Sequence, residues 1–178
     1  MVETYADSQR QLTQESIFTA FTRLLATKKF HEISVTEITR IAGVSRMAFY
    51  RNYANKEEIV TTYLDRLFQI FFEKISKDNV IDHYSIFYAY FEYIKANMEQ
   101  ITLFLTTELS DLVHEKFQTF VNKTQQLLFT HYPEDEFCPF VREYSAAGLF
   151  SLTKKWITDG CTGNIEKLAL FLSQQSLN

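Results

Sequence analysis

The sequence predicts an all-α fold, with an N-terminal three-helix domain of helix-turn-helix layout followed by a larger helical domain. Only 4 Gly and 2 Pro occur in 178 residues, so turn-forming residues are few. The hydrophobic fraction of 46% is sufficient for a core, and apolar residues recur at helical spacing. Residues 34–56, SVTEITRIAGVSRMAFYRNYANK, show a short helix, a glycine turn, a second short helix and the capped start of a third. We place the domain boundary between residues 58 and 59, giving domains 1–58 and 59–178.

The first helix is predicted from about Ser8 to Lys28. Its apolar residues recur near one face, which should brace the two short helices that follow. These residues are Leu12, Ile17, Phe21, Leu24 and Leu25.

The two short helices carry clear start and stop signals. Ser34 can cap the first of them, and Glu37 three residues later can close a capping box. Gly43 supplies the left-handed conformation that ends this helix at little cost. Ser45 can cap the second short helix. These signals predict a rigid helical hairpin.

The second short helix has one face for the core and another for solvent. Phe49 and Tyr53 are four residues apart and share the face that we expect to be buried. The other side and the N-terminal end carry Arg46, Met47, Ala48, Tyr50 and Arg51. Asn55 and Glu58 form a second box-like helix start, with Lys56 at the first helical position.

The charged side chains of residues 38–56 are all positive, since this segment has four basic residues and no acid. An exposed basic helix on a rigid support is how a helix-turn-helix enters the major groove of DNA. The alternative is an ordinary helical hairpin with solvated charges.

The rest of the chain is predicted to form further helices. One long helix, 56–77, should begin in the N-terminal domain and end in the second one. An aromatic helix follows at 84–97 and should be buried, because it is apolar nearly all round. The remaining segments are a short apolar one at 98–106 and helices at 109–132, 139–159 and 164–177.

The stretch from Ile17 to Ile59 resembles the DNA-binding domain of the TetR family of transcriptional regulators. The resemblance lies in the apolar residues of the first helix, in Phe30, in SVTEITRIAGVS and in FYRNYANKEEI. It implies a homodimer that binds a palindromic operator in double-stranded DNA, most simply as a repressor. The C-terminal part, with GLFSLTKKWITDG, is similar to a branch of the family common in low-GC Gram-positive bacteria.

The resemblance also assigns roles to residues of the second short helix. Arg46, Met47 and Ala48 lie where the family reads base edges, which suits their chemistry, because Arg pairs with guanine and Met or Ala can touch a thymine methyl group. The residues placed at phosphates are Tyr50, Asn52 and Lys56, with the basic Arg51 beside them. This sequence departs from the family at Asn52, where His is frequent, and at Tyr53, where Phe is frequent.

The second domain is expected to bind an effector and to dimerise. Family members usually have a ligand cavity there, and the aromatic candidates for an apolar or flat effector are Phe68, Phe72, Phe87, Tyr88, Phe91, Phe104 and Phe117. The alternative is that these rings form plain core. Small residues near the C-terminus favour a close contact between two helices, either across a dimer, as in the family, or within one chain. The candidate interface residues are Tyr144, Ala147, Gly148, Ser151 and Leu152.

Other function classes find less support in the sequence. It has no phosphate-binding glycine loop, nucleophile elbow or HExxH motif, so no enzyme and no cofactor are predicted. Four dispersed histidines predict no metal site. Residues 1–60 hold 8 basic and 7 acidic side chains, against 10 and 15 in the remainder. A polar N-terminus, no apolar run long enough to span a bilayer and two isolated cysteines, Cys138 and Cys161, predict a cytoplasmic protein with free thiols.

Three alternatives for regulation stay open at this point. The protein could be an activator whose second domain binds a protein coactivator, a regulator that senses a metal, or a DNA-bound interaction scaffold. A cavity in the second domain would favour a small-molecule sensor. A solid core with an exposed apolar patch would favour a protein partner.

Overall fold

The computed structural model describes residues 5–77, 82–128 and 136–175, with the backbone alone for 123–128 and 138. All regular structure in these residues is helical, as predicted. The helices are α1 Tyr5–Leu25, α2 Val35–Ala42, α3 Arg46–Asn52, α4 Glu57–Lys77, α5 His83–Ala96, α6 Met98–Leu105, α7 Ser110–Leu128, α8 Cys138–Thr158 and α9 Ile165–Gln175. A short 3-10 helix, Phe30–Glu32, joins α1 to α2.

The N-terminal helices α1 to α3 form a three-helix unit, which we call the head. The helices α1 and α2 pack on each other, and α3 packs on both. Their shared core includes Ile17, Phe21, Ile38 and Phe49, each fully buried. Leu12, which the sequence placed on the same face of α1, is instead 55% exposed. It lies five residues before Ile17, the first buried residue of the helix.

The helices α5 to α9 form the body. Within it α5 packs on α9, and α8 packs on α6 and α7. The predicted aromatic helix is α5, with Phe87, Tyr90 and Phe91 buried. Tyr84 and Tyr88 are each 37% exposed and stack on one another, so this helix has a solvent face that the expectation of full burial missed.

One long helix, α4, links the head to the body, as the sequence predicted. Its first residues, Ile59 and Val60, are buried with the head, and its far half contributes Phe68 and Phe71 to the aromatic core. The hydrophobic core is continuous from α1 to α9. A tilt of α4 would therefore be felt at both ends.

Several predicted features lie outside the described residues. These are the loop residues 78–81, the helix end at 129–132 and the loop residues 133–135. At the other end of the body, Asn164 caps α9, because its side-chain oxygen accepts the Lys167 N–H at 2.9 Å. The helix α8 ends at Thr158, and Gly160, two residues later, has a positive φ of 76°.

Candidate nucleic-acid interface

The caps of α2 and α3 fix the geometry of the head. Ser34 accepts the Glu37 N–H at 3.2 Å, and the Glu37 carboxylate accepts the Ser34 N–H at 3.1 Å, so the predicted capping box is present. Gly43 ends α2 with φ of 68°, in the left-handed region. Ser45 accepts the Ala48 N–H at 3.0 Å and starts α3. All three predicted signals are confirmed.

Glu37 has a second partner, Lys28, which joins α2 to the segment that follows α1. The ammonium of Lys28 forms an ion pair with its carboxylate. This hydrogen bond, together with those from Ser34, lowers the pKa of Glu37 to about 2. The carboxylate is therefore charged under all ordinary conditions.

The helix α3 presents its predicted face to solvent. Met47 is 65% exposed and Tyr50 is 51% exposed, while Phe49 on the opposite side is fully buried. Arg46 and Arg51 are also exposed, and an Nη of Arg51 approaches the Met47 sulfur at 3.5 Å. Ala48 is half-buried between them. Two guanidinium groups and two apolar surfaces thus occupy one face.

Asn52 is oriented inward along its own helix. Its side-chain amide donates to the Ala48 carbonyl at 2.8 Å, and its side-chain oxygen is buried without a hydrogen-bond partner. A phosphate contact from Asn52 would require this amide to rotate. Tyr53, the second departure from the family pattern, is only 4% exposed and ends α3. Burial, with help from the nearby Glu58 carboxylate, raises the pKa of Tyr53 to about 12, so its phenol stays neutral.

Lys56 is engaged inside the protein. Its Nζ donates to the Phe30 carbonyl at 2.7 Å and to the Ile33 carbonyl at 3.0 Å. The same ammonium lies 4.2 Å from the centre of the Phe30 ring. We call this set of contacts the Lys56 clasp; it ties the start of α4 to the segment between α1 and α2. The sequence offered no signal for it, since the partners are carbonyls more than twenty residues away.

The start of α4 is capped as predicted in outline but differs in detail. The Asn55 side chain accepts the Glu58 N–H at 2.9 Å. The Glu58 carboxylate reaches the Ala54 N–H, one residue earlier than a capping box requires. The helix itself begins at Glu57, which leaves Lys56 just before its first turn.

Of the aromatic residues predicted to line an effector pocket, Phe68 and Phe117 line one cavity in the described part of the body. This cavity has a volume of about 20 Å³, which is about the size of one water molecule, and its surface is apolar. The other candidates are distributed as core or surface. Phe91 packs on Trp156, Phe104 on Phe18 and Tyr63, Phe72 on Phe120, Phe87 is core, and Tyr88 is partly exposed.

The predicted dimer residues lie on α8, whose outer face is unusually apolar. Tyr144 is 80% exposed, and Phe140, one turn before it, is 71% exposed. Gly148 and Ser151 continue this face toward the C-terminal end and are also exposed, with Ala147 and Leu152 half-buried beside them. On α9, Leu170 and Phe171 are each about half exposed, at 50% and 51%.

Histidine and cysteine side chains form no metal site in the described part of the chain, where no three His, Cys, Asp or Glu residues are close enough to hold an ion. His131 lies outside the described residues, as does the side chain of Cys138. His114 of α7 stacks on Phe150 of α8, with ring centres 4.3 Å apart. Cys161 is buried, and that burial raises its thiol pKa. None of the described helices is long and apolar enough to cross a membrane.

The fold and the capped head define a helix-turn-helix regulator, and comparison with known proteins agrees. Residues 17–62 match the family model of the bacterial regulatory proteins of the tetR family. The N-terminal domain of the chain is therefore that of the TetR family of DNA-binding transcriptional regulators.

Individual relatives extend the likeness to most of the chain. The dhaKLM operon transcriptional activator DhaS of Lactococcus lactis is 27% identical over 172 residues, covering 88% of this chain and 84% of the relative. A solved structure of a dihydroxyacetone kinase operon activator DhaS superimposes with a TM-score of 0.60 at 21% identity, covering 93% of this chain and 94% of that one. A TetR transcriptional regulator from Streptococcus agalactiae gives a TM-score of 0.69 at 19% identity, covering 96% and 97%. These two structures support the fold alone.

Proposed function

We propose that the protein is a dimeric, sequence-specific repressor that inserts α3 of each subunit into the major groove of a palindromic operator. The exposed α3 face, with Arg46, Met47, Tyr50 and Arg51 around a buried Phe49, is the observation that carries this proposal. A repressor is the simplest form of such a regulator, because a dimer seated on a promoter excludes polymerase without any further contact. Since its substrate is chromosomal DNA, its place of action is the cytoplasm.

Each side chain of α3 has a distinct role in this proposal. Arg46, Met47 and Ala48 read base edges, Arg46 by pairing with guanine and the other two by contact with thymine methyl groups. Tyr50, Arg51 and Asn52 hold phosphates and fix the register of the helix. Lys56 contributes chiefly through the Lys56 clasp, because a direct phosphate contact requires its ammonium to leave two carbonyl oxygens.

The test begins with mapping of the bound DNA and uses the strongest site as operator. Arg46→Ala should cost about 1–3 kcal/mol on this operator and relax preference at one base pair of each half-site. Arg23→Ala removes an exposed arginine from α1 and serves as the matched control, with no expected change in base preference. If Arg46→Ala leaves both affinity and preference unchanged, α3 is not the reading helix.

The dimer is proposed to form through α8 and α9. The exposed apolar residues of both helices make a surface that a monomer would leave in water, and small side chains at Ala147 and Gly148 allow a second helix to approach closely. A Cβ added at Gly148 would meet no atom within 4 Å in the monomer. A two-fold axis here would place two reading heads for half-sites about 34–36 Å apart.

Gly148→Glu tests that interface without disturbing the monomer, because space for the side chain is present. Two carboxylates buried across the two-fold axis should give monomers in sedimentation experiments at concentrations where the parent protein is dimeric. Ala96→Glu places the same acid at another exposed helical position and should leave the dimer intact. A Gly148→Glu variant that remains fully dimeric would move the interface elsewhere.

A second candidate function is transcriptional activation with a protein coactivator. Two observations favour it: a relative that matches most of this chain is named an activator, and apolar residues are exposed on α8 and α9. Transcription in vitro from a promoter carrying the mapped operator separates the two. A repressor lowers transcript yield on its own, whereas an activator raises it with its partner present.

A further inference from the structure

A cleft of about 320 Å³ lies where the head meets α4 and α5. It is open on one side and has the size of a small-molecule site. Its floor is aromatic and aliphatic, formed by Phe18, Tyr53, Ile59, Tyr63, Leu67 and Ile70. It is separate from the small cavity in the body and from the apolar face of α8.

The cleft is built on the joint between head and body. Phe18 of α1 stacks on Tyr63 of α4, with ring centres 4.6 Å apart and planes at 14°. Phe104 of α6 meets both rings edge-on, at 6.3 and 5.7 Å. Tyr53, the residue that ends α3, forms part of the wall. An occupant would thus contact α4, α1 and the end of α3 at the same time.

The polar rim of the cleft carries hydrogen-bond donors, including the Arg66 guanidinium. Arg66, Gln14 and Thr62 line it, and among the described residues no carboxylate lies within ion-pair distance of the Arg66 guanidinium. The neighbouring Asp65 is taken by Lys116, whose Nζ lies 2.7 and 2.9 Å from its two oxygens. Glu15 also lines the rim, and its carboxylate accepts the Gln11 side-chain amide at 3.1 Å.

We propose that this cleft binds a flat, apolar carboxylate, whose ring system lies against Tyr53, Tyr63 and Ile70 and whose carboxylate pairs with Arg66. The guanidinium can hold a carboxylate by two parallel N–H donors, and the Gln14 amide lies on the same rim. Glu15 opposes the anion and so sets an upper limit on its affinity. Bound ligand would wedge α1 from α4 and displace Tyr53, which biases the orientation of α3.

The coupling to DNA rests on the proposed operator binding, whereas the binding of the carboxylate does not. A ligand that prefers one tilt of α4 shifts the dimer only by its differential affinity for the two states. For ordinary allosteric coupling this is about 5- to 150-fold in operator affinity. Because the head is joined to α4 next to this cleft, the displacement required at the reading helix is local.

Calorimetric titration with 1-naphthaleneacetate tests the site, with 1-naphthaleneacetamide as the neutral analogue of the same shape. The carboxylate should bind more tightly than the amide. Arg66→Gln should weaken the carboxylate about tenfold, and Glu15→Gln should strengthen it about two- to fivefold. Neither variant should change the affinity for the amide. Lys74→Gln, on the same helix but outside the cleft, is the control and should bind both compounds like the parent.

A filling variant tests the location independently of charge. Thr62→Trp should abolish the binding of both compounds, and thermal melting followed by circular dichroism verifies that it folds. No binding of either compound, or equal affinities for the carboxylate in the parent, Arg66→Gln and Glu15→Gln proteins, would overturn the site. If the carboxylate binds and operator affinity stays the same at saturation, the coupling is overturned. Failure to find any operator would instead count against the proposed function, since calorimetry needs no DNA.

Discussion

The contacts that stabilise the head and those that stabilise the body differ in how far apart their residues are in the sequence. In the head, each cap joins residues three positions apart, as in Ser34 with Glu37 and Ser45 with Ala48. In the body, rings from distant helices meet, as in Phe68 with Phe120 at 4.1 Å and Phe91 with Trp156 at 5.1 Å. Signals between near neighbours can be seen in a sequence, whereas contacts across fifty or more residues cannot. The two parts also differ in what they expose, because the head presents polar groups to solvent while the body has its aromatic rings mostly inside.

The largest expected effect concerns the body. Phe91 is fully buried against Trp156, so Phe91→Ala should lower the free energy of unfolding by about 3–5 kcal/mol, through lost burial and a cavity that only partly collapses. Chemical denaturation followed by circular dichroism measures this.

Tyr88→Ala is the control from the same helix. Its ring is 37% exposed and stacks only near the surface, so the cost should stay below about 1 kcal/mol. A Phe91→Ala protein with unaltered stability but an altered effector response would show that Phe91 lines a ligand pocket and does not stabilise the core.

The second prediction concerns a long-range polar contact that stabilises the head, the Lys56 clasp. Lys56→Met keeps the apolar stem of the side chain and removes the ammonium, leaving the Phe30 and Ile33 carbonyls without it. The loss should be about 1.5–3 kcal/mol of stability, because two hydrogen bonds from a charged donor and a cation–π contact are lost.

The salt dependence of operator affinity then identifies the role of Lys56. If the ammonium stays in the clasp, the slope of log affinity against log salt should be the same in the parent and in Lys56→Met. A slope reduced by about one per subunit would show that Lys56 holds a phosphate in the complex. Arg51→Met, expected to reduce the slope, is the comparison variant.

The features that the sequence predicted are those that depend on contacts between near neighbours in the chain. The caps, the glycine turn, the long shared α4 and the exposed face of α3 were all predicted, because each depends on residue types at short fixed spacing. The Lys56 clasp was missed because its acceptors are backbone carbonyls, which carry no residue signature. Contacts between rings, such as Phe91 with Trp156, were not predicted, because helical spacing shows that a ring is buried but not which ring it meets. The cleft at the joint combines residues of α1, α4 and α5, so no local pattern could have indicated it.

The third prediction tests the local character of the head. Ser45→Ala removes the cap of α3, where the hydroxyl accepts the Ala48 N–H, and should cost about 1 kcal/mol. Ser76→Ala replaces an exposed serine within α4, away from any helix start, and should be nearly neutral. Hydrogen exchange should place the loss in α3 and its contacts. Equal melting temperatures for both variants would show that tertiary packing, and not the cap, starts this helix.

The smallest effect expected is a pH dependence of the same local network. The hydrogen bond from Lys28 and those from Ser34 hold the pKa of Glu37 at about 2, against an ordinary value of 4.5 for a glutamate. A carboxyl whose pKa is lowered by folding binds its proton more readily in the unfolded chain. It therefore contributes stability above pH 4.5, and this contribution is lost as the pH falls toward about 2. The ion pair is open to solvent, so the change should be modest and should weaken further in high salt. Melting temperatures between pH 6 and pH 2 should fall less steeply for Glu37→Gln than for the parent, while Glu166→Gln, an exposed acid on α9, should follow the parent curve. If the melting temperatures of Glu37→Gln and the parent fall equally over this pH range, the capping box that starts α2 is stabilised by the Ser34 hydroxyl and not by the charge of Glu37.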